Sequence, residues 1–242
     1  MYKRQLFASI GINGGEFLLL PACYGCAALS LVTLRLKEHE KAPSSRSVWS
    51  EIGEGLQVLR TVPSVRGAMI HLVLLYSLLA ALYVLALQLA ALINSLGPSG
   101  FGSLLAMTGV GLAIGAVAIA QLGHRFSRRR LTATGLATIT WTLVLLSQLR
   151  GSLLFTLTLC GILGVGAALE AIPAQTTIQE DTPEHERGRV FGLQNNLINI
   201  ALSLPLVMAG TLVSRFGLQP VLLLLAALAC VAAVIEKPWQ RC

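Results

Sequence analysis

Residues 67–93 have the sequence GAMIHLVLLYSLLAALYVLALQLAALI, which contains no Asp, Glu, Lys or Arg. A helix of about 20 mainly apolar residues crosses the hydrocarbon core of a bilayer, and it satisfies its own backbone hydrogen bonds there. The chain is 55% hydrophobic and 12% charged, which excludes an ordinary soluble domain. We therefore predict an all-α membrane protein with seven transmembrane helices, near residues 6–34, 67–93, 101–122, 131–149, 152–174, 190–213 and 218–235.

The basic residues lie mainly in alternate breaks between these stretches. If residues 35–66 are cytoplasmic, 14 of the 18 Lys and Arg residues fall on the cytoplasmic side. Positive charges near helix ends set orientation, so we predict an integral protein of a bacterial plasma (inner) membrane with a cytoplasmic carboxyl terminus. The net charge of +7 is spread over loops without interleaved aromatic residues, which excludes nucleic acid as a partner. Lys3 and Arg4 fall on the opposite side, and from this we expect a truncated chain whose natural form continues upstream.

The polar breaks predict the domain organisation. Residues 1–34 form a first transmembrane helix, residues 35–66 a cytoplasmic linker, residues 67–236 a six-helix bundle and residues 237–242 a cytoplasmic tail. Within the linker, residues 47–61 carry Trp49, Ile52, Leu56 and Leu59 at helical spacing. This amphipathic helix either lies on the membrane interface or packs on the protein itself; in both cases we expect Pro63 to end it.

Small residues concentrate in two of the stretches. They are Gly109, Gly111 and Gly115 in one, and Gly161, Gly164 and Gly166 in the other. Small residues let helix backbones approach closely in lipid, so these glycines predict tight helix packing. Cys23 and Cys26 form a Cys-x-x-Cys pair inside an apolar stretch, which favours small packing residues over a redox site.

Two loops carry a family resemblance. Residues 123–131, GHRFSRRRL, resemble the short cytoplasmic loop motif of the major facilitator superfamily, with Arg125, Arg128 and Arg129 at its basic positions. Ala120, His124 and Ser127 depart from that motif. Residues 182–192, TPEHERGRVFG, resemble the loop between helices 10 and 11 of drug and siderophore exporters in the enterobactin-exporter-like branch. Residues 49–56 and 63–66 resemble the central linker of that branch.

The resemblance implies that the seven stretches are helices 6–12 of a twelve-helix transporter with two six-helix bundles. It implies proton-coupled efflux (antiport) of a small molecule, drug or siderophore-like, by alternating access, with protons and the missing amino-terminal half as partners. The charged residues near the loops then form a cytoplasmic gate, for which we name Arg125, Arg128, Arg129, Asp181, Glu184, Arg187 and Arg189. The alternative for these residues is screened surface charge.

Several polar side chains lie at membrane depth. Glu170 is a candidate for proton coupling, because a carboxylate there must be paired, hydrated or protonated; the alternative is an acid that reaches interfacial water. Asn195, Asn199 and Ser203 form a stripe that either lines a cavity or bonds to neighbouring helices. We expect Tyr76, Tyr83 and Gln88 to line another wall of the pathway or to pack as ordinary core, and His71 to lie near the interface.

Two other membrane classes remain as alternatives. An intramembrane enzyme requires paired catalytic groups or metal ligands at depth, whereas the four histidines lie in loops or near helix ends. A retinal-type pump or receptor requires a lysine in mid-helix for the Schiff base, and none is present there. We therefore expect no enzyme activity, no cofactor and no metal.

Overall fold

The structure is a computed structural model that describes residues 21–22, 24–30, 53, 56–57, 59–93, 100–148 and 152–235. The chain divides into two compact units, residues 1–45 and 46–242. In the first unit the described residues are helical, and the Ser30 hydroxyl donates to the carbonyl oxygen of Cys26 at 2.8 Å. Most of the first predicted span, Trp49, Ile52 and the predicted tail lie outside the described residues.

The described part of the second unit contains six long helices. They are α1 (Pro63–Leu92), α2 (Phe101–Leu122), α3 (Arg128–Ser147), α4 (Leu153–Asp181), α5 (Arg187–Phe216) and α6 (Leu218–Ile235). Each coincides with one of the last six predicted stretches. Short 3₁₀ turns, Gly123–Arg125 and Glu184–Glu186, precede α3 and α5. Gly217 links α5 to α6 with a φ of 82°, a conformation that favours glycine.

The first helix of the bundle begins earlier than the sequence indicates. The expectation that Pro63 ends the linker helix is confirmed, since the described linker residues are helical up to Thr61 and Val62 is extended. Pro63 is itself the first residue of α1. Proline is well suited to this position, since the first backbone N–H groups of a helix have no partner within it. At the other end of the bundle, α4 continues through Pro173 to Asp181, beyond the predicted limit at residue 174.

Among the described residues, four segments are long and apolar enough to cross a membrane: α1, α2, α4 and Glu184–Phe216, which comprises α5 and the turn before it. α3 is less apolar because of its threonines. Their hydroxyls donate to carbonyl oxygens of the same helix, Thr138 to Thr134 and Thr142 to Thr138, each at 2.7 Å. The apolar part of α6, Leu218–Ala233, is shorter. The chain is thus an all-α membrane protein, while the count of seven spans stays a prediction.

α4 lies at the centre of the bundle and packs against α1, α2 and α3. The short loops predict that consecutive helices are neighbours, but much of the closest packing is between non-consecutive ones: α2 with α4, α1 with α5, and α3 with α6. Glycines allow the approach of α2 to α4, because a Cβ on Gly111 would overlap the backbone of Gly161. The prediction of close packing is confirmed for Gly111, Gly115, Gly161, Gly164 and Gly166, whereas Gly109 faces open space.

Where side chains are described, the buried apolar ones form three clusters along the bundle. One lies near the end that carries the loop arginines, which we call the arginine-rich end, and it includes Val65, Ile178 and Val190. Leu59 belongs to this cluster and is buried, so this part of the predicted amphipathic helix packs on the protein, whereas Leu56 is exposed. The other two clusters occupy the middle and the opposite end.

Candidate functional site

A histidine and a glutamate meet inside the bundle. Nδ1 of His71 on α1 lies 3.4 Å from Oε1 of Glu170 on α4. The Glu170 side chain is 0% exposed and that of His71 is 12% exposed. Glu170 precedes the end of α4 by 11 residues, about 16 Å at 1.5 Å per residue. It is therefore an internal group, and the expectation of a merely interfacial His71 misses its contact with Glu170.

An apolar cavity of about 270 Å³ adjoins Glu170, and it opens at the surface of the described helices, where several leucines of its wall are exposed. Its wall comes from α1, α3, α4, α5 and α6, and includes Leu75, Leu78, Ile139, Met208 and Leu225. Besides Glu170, Ser77 is the polar side chain among its described lining residues. The carboxylate thus has the imidazole of His71 beside it and an apolar space next to it.

A separate groove of about 400 Å³ lies on the outer surface between α1 and α5. Tyr76, Tyr83 and Ser203 line it together with Leu79, Ala80, Leu202 and Leu206. The ring of Tyr83 packs edge to face against Phe101, with the ring centroids 6.1 Å apart, and this contact fixes its orientation. The groove therefore combines two phenols and a hydroxyl with an apolar floor, without a charged side chain in its described lining.

The predicted pathway residues fall on different faces of the bundle. Tyr76 lines the groove and Glu170 lies in the interior. Asn195 and Asn199 are exposed on α5, where the Asn199 amide donates to the carbonyl oxygen of Asn195 at 2.9 Å. Gln88 is exposed on α1. The structure therefore brings the groove residues together but separates them from the Glu170–His71 pair.

Sequence reasoning missed an amide pair between α4 and α5. Nε2 of Gln194 donates to Oε1 of Gln175 at 2.7 Å. Gln194 is 7% exposed, and its Oε1 is buried without a hydrogen-bond partner among the described residues. A sequence signal was present, because the two glutamines lie at similar distances before and after the short loop that joins their helices.

Charged side chains cluster at the arginine-rich end. Arg128 at the start of α3 forms an ion pair with Glu180 near the end of α4. Nη1 of Arg187 lies 3.8 Å from Oε1 of Glu184. Arg125, Arg129 and Asp181 are exposed, and Arg189 is half-buried. Ser127 caps α3 by accepting from the backbone N–H of Arg130, so this departure from the family motif has a local structural use.

Comparisons with known proteins agree with the resemblance of the loops. Residues 6–206 match the family model described as Major Facilitator Superfamily. The chain is 30% identical over 207 residues to the protein named Multidrug efflux pump Tap of Mycolicibacterium fortuitum. This alignment covers 83% of the chain and 49% of the relative, so the chain spans about half the length of the curated relative it matches. No solved structure matches the chain significantly.

Proposed function

This chain belongs to the major facilitator superfamily, and on that premise we propose that its six described helices work as the carboxyl-terminal bundle of a proton-coupled exporter of small molecules. In this proposal the bundle acts with a second bundle by alternating access in a bacterial plasma membrane. The observation that carries the proposal is the burial of the Glu170 carboxyl group at membrane depth, beside His71. Burial of an ionisable group in a membrane protein costs free energy, and such groups mark ion and proton pathways.

The surroundings of Glu170 favour a proton over a metal cation as the coupling ion. Hard cations require several oxygen ligands around them. Apart from Glu170, Ser77 is the oxygen-bearing side chain in the described lining of the adjacent cavity. One polar partner of the carboxyl group is a ring nitrogen of His71, which suits proton exchange.

The groove between α1 and α5 supports export of a small molecule. Small-molecule sites are mostly apolar, with a few polar groups that orient the ligand. The groove has this composition, with Tyr76, Tyr83 and Ser203 as its polar members. We propose that it forms one wall of the substrate pathway, with Gln88, Asn195 and Asn199 on the same two helices extending it. The relative named as a multidrug efflux pump supports the outward direction of transport.

The charged residues of the arginine-rich end support a gate on the cytoplasmic side. A switch between two states needs interactions that differ between those states. Arg128 and Glu180 join α3 to α4 within one bundle, so their pair is suited to hold the shape of this end. We propose that Arg125, Arg129, Asp181, Glu184, Arg187 and Arg189 contribute to the same gate.

The test is export by the full-length protein in proteoliposomes, measured with and without an imposed pH gradient. We expect export of a fluorescent drug to require the gradient, and Glu170→Gln to abolish this requirement together with net accumulation. The control is Glu186→Gln, which removes a carboxylate from the short 3₁₀ turn before α5, far from Glu170, and should leave the gradient-driven rate unchanged. Equal export with and without the gradient, or an unaltered Glu170→Gln protein, would contradict the proposal.

A further inference from the structure

We infer that His71 is the positioning residue of Glu170 and its route to water, so that the two side chains bind one proton as a unit. This inference rests on the proposed function, and it assigns a role to a residue outside the loop motifs. Its basis is the 3.4 Å contact between Nδ1 of His71 and Oε1 of Glu170, which joins residues 99 positions apart in the chain.

The unequal exposure of the two side chains gives the direction of proton entry. Glu170 is 0% exposed, whereas His71 is 12% exposed. On its other side Glu170 borders the apolar cavity, whose described wall offers one hydroxyl group, that of Ser77. The imidazole therefore gives a proton a polar path to the carboxyl group, which the apolar cavity does not.

Other ionisable groups lie on the helices that pack around this pair. On α1 they are Arg66, five residues before His71, and the phenols Tyr76 and Tyr83. α2 has none, and α3 has none beyond Arg130. α4 carries Cys160 in addition to Glu170 and the acids at its end, α5 has none between Arg189 and Arg215, and α6 has Cys230. In the interior of the described helices, a proton can therefore be exchanged between the imidazole of His71 and the carboxyl group of Glu170.

The proton balance of the unit is simple. In the unloaded form the imidazole is neutral and Glu170 is a carboxylate, which gives a net charge of −1. One proton enters from water at the imidazole and is shared between Nδ1 and Oε1, which gives a net charge of zero. Release reverses this step and returns the proton to water. Because an imidazole exchanges protons near neutral pH, it is suited to this relay.

The experiment titrates the carboxyl group directly, without transport. Infrared difference spectra of the purified 242-residue protein in detergent are recorded against pH, and the protonated-carboxyl band that disappears in Glu170→Gln is assigned to Glu170. We expect His71→Gln and His71→Asn each to shift the midpoint of this band by about one pH unit or more, the size of effect that a close charged or hydrogen-bonded partner produces. The matched control is His185→Gln, because His185 lies 3.5 Å from Glu186 but is 78% exposed.

The outcomes separate this inference from the proposed function. A midpoint that shifts in both His71 variants and not in His185→Gln supports the shared unit, even if the full-length protein exports without a pH gradient. A midpoint unchanged in His71→Asn or His71→Gln, with helical circular dichroism intact, overturns it even if export is proton-coupled. Restoration of the wild-type midpoint by His71→Lys, which keeps a cationic donor but not the imidazole relay, would reduce His71 to a charge partner and overturn the relay.

Discussion

The backbone of α2 at Gly111 meets the backbone of α4 at Gly161 so closely that a Cβ atom on Gly111 would overlap the carbonyl oxygen of Gly161. We predict that Gly111→Ala destabilises the folded bundle by about 1–3 kcal/mol, because an added methyl group must push two helices apart. Thermal unfolding in detergent, followed by circular dichroism, measures this change.

The chain contains its own control for that substitution. Gly109 lies on the same helix two residues earlier, and a Cβ there would meet nothing within 4 Å. Gly109→Ala adds the same methyl group and the same gain in helix propensity. Equal melting temperatures for the two variants would show that the packing of α2 on α4 is looser than the structure indicates.

The amide bridge between α4 and α5 yields a prediction with a compensating double variant. Gln175→Leu removes the acceptor of the Gln194 amide and leaves a buried polar group without its partner. We expect a loss of about 1–2 kcal/mol, since an unsatisfied buried group is costly and single interhelical hydrogen bonds in membranes contribute modestly. Replacing both glutamines by leucine should recover most of this loss.

The measurement for this pair is a double-variant cycle on melting free energies. The variant Gln148→Leu is a suitable control because Gln148 is exposed at the end of α3. If Gln175→Leu and the double variant are equally destabilised, the bridge contributes nothing specific and the loss arises from packing alone.

Hydropathy predicted the helices well, because lipid exposure demands long apolar runs. Helix ends were less predictable, since capping and first-turn residues decide them. Pro63 illustrates this, because it follows the end of the linker helix and also begins α1, four residues before the predicted stretch. The short loops also did not predict which helices pack most closely. α2 packs against α4 through glycines, although α3 lies between them in the sequence.

The site was predictable as a set of residue types and not as an arrangement. Glu170 was conspicuous as an acid in an apolar stretch, but its partner lies 99 residues away on another helix. His71 looked interfacial because it lies four residues, about one turn, after the start of the predicted stretch 67–93, whereas α1 begins eight residues before it. Asn195 and Asn199 were selected for their spacing, whereas the buried amide of this region is that of the adjacent residue Gln194.

The ion pair between Arg128 and Glu180 should affect transport more than stability. Its side chains are 45% and 57% exposed, and exposed pairs contribute about 0–1 kcal/mol. We predict that Arg128→Glu nearly preserves the melting temperature but slows export by the full-length protein. The reason is that two facing carboxylates repel each other and separate the ends of α3 and α4. The exchanged double variant Arg128→Glu with Glu180→Arg should restore export.

Arg130→Glu provides the matched control for the ion pair. It changes the same charge two residues further along α3, at a position that is also exposed and outside the proposed gate. A double exchange that exports no better than Arg128→Glu alone would show that the two residues act independently of each other.

The groove between α1 and α5 predicts which aromatic residues affect substrate affinity. Tyr83 is 49% exposed, and its ring is oriented by the edge-to-face contact with Phe101. We expect Tyr83→Ala in the full-length protein to raise the substrate concentration for half-maximal export about tenfold, which corresponds to about 1.4 kcal/mol of lost binding. Tyr83→Phe, which keeps the ring, separates stacking from hydrogen bonding by the hydroxyl group. The control is Trp141→Ala, because Trp141 is 68% exposed on α3, outside the groove. If Trp141→Ala raises that concentration as much as Tyr83→Ala does, exposed aromatic area in general matters and the groove is not the binding wall.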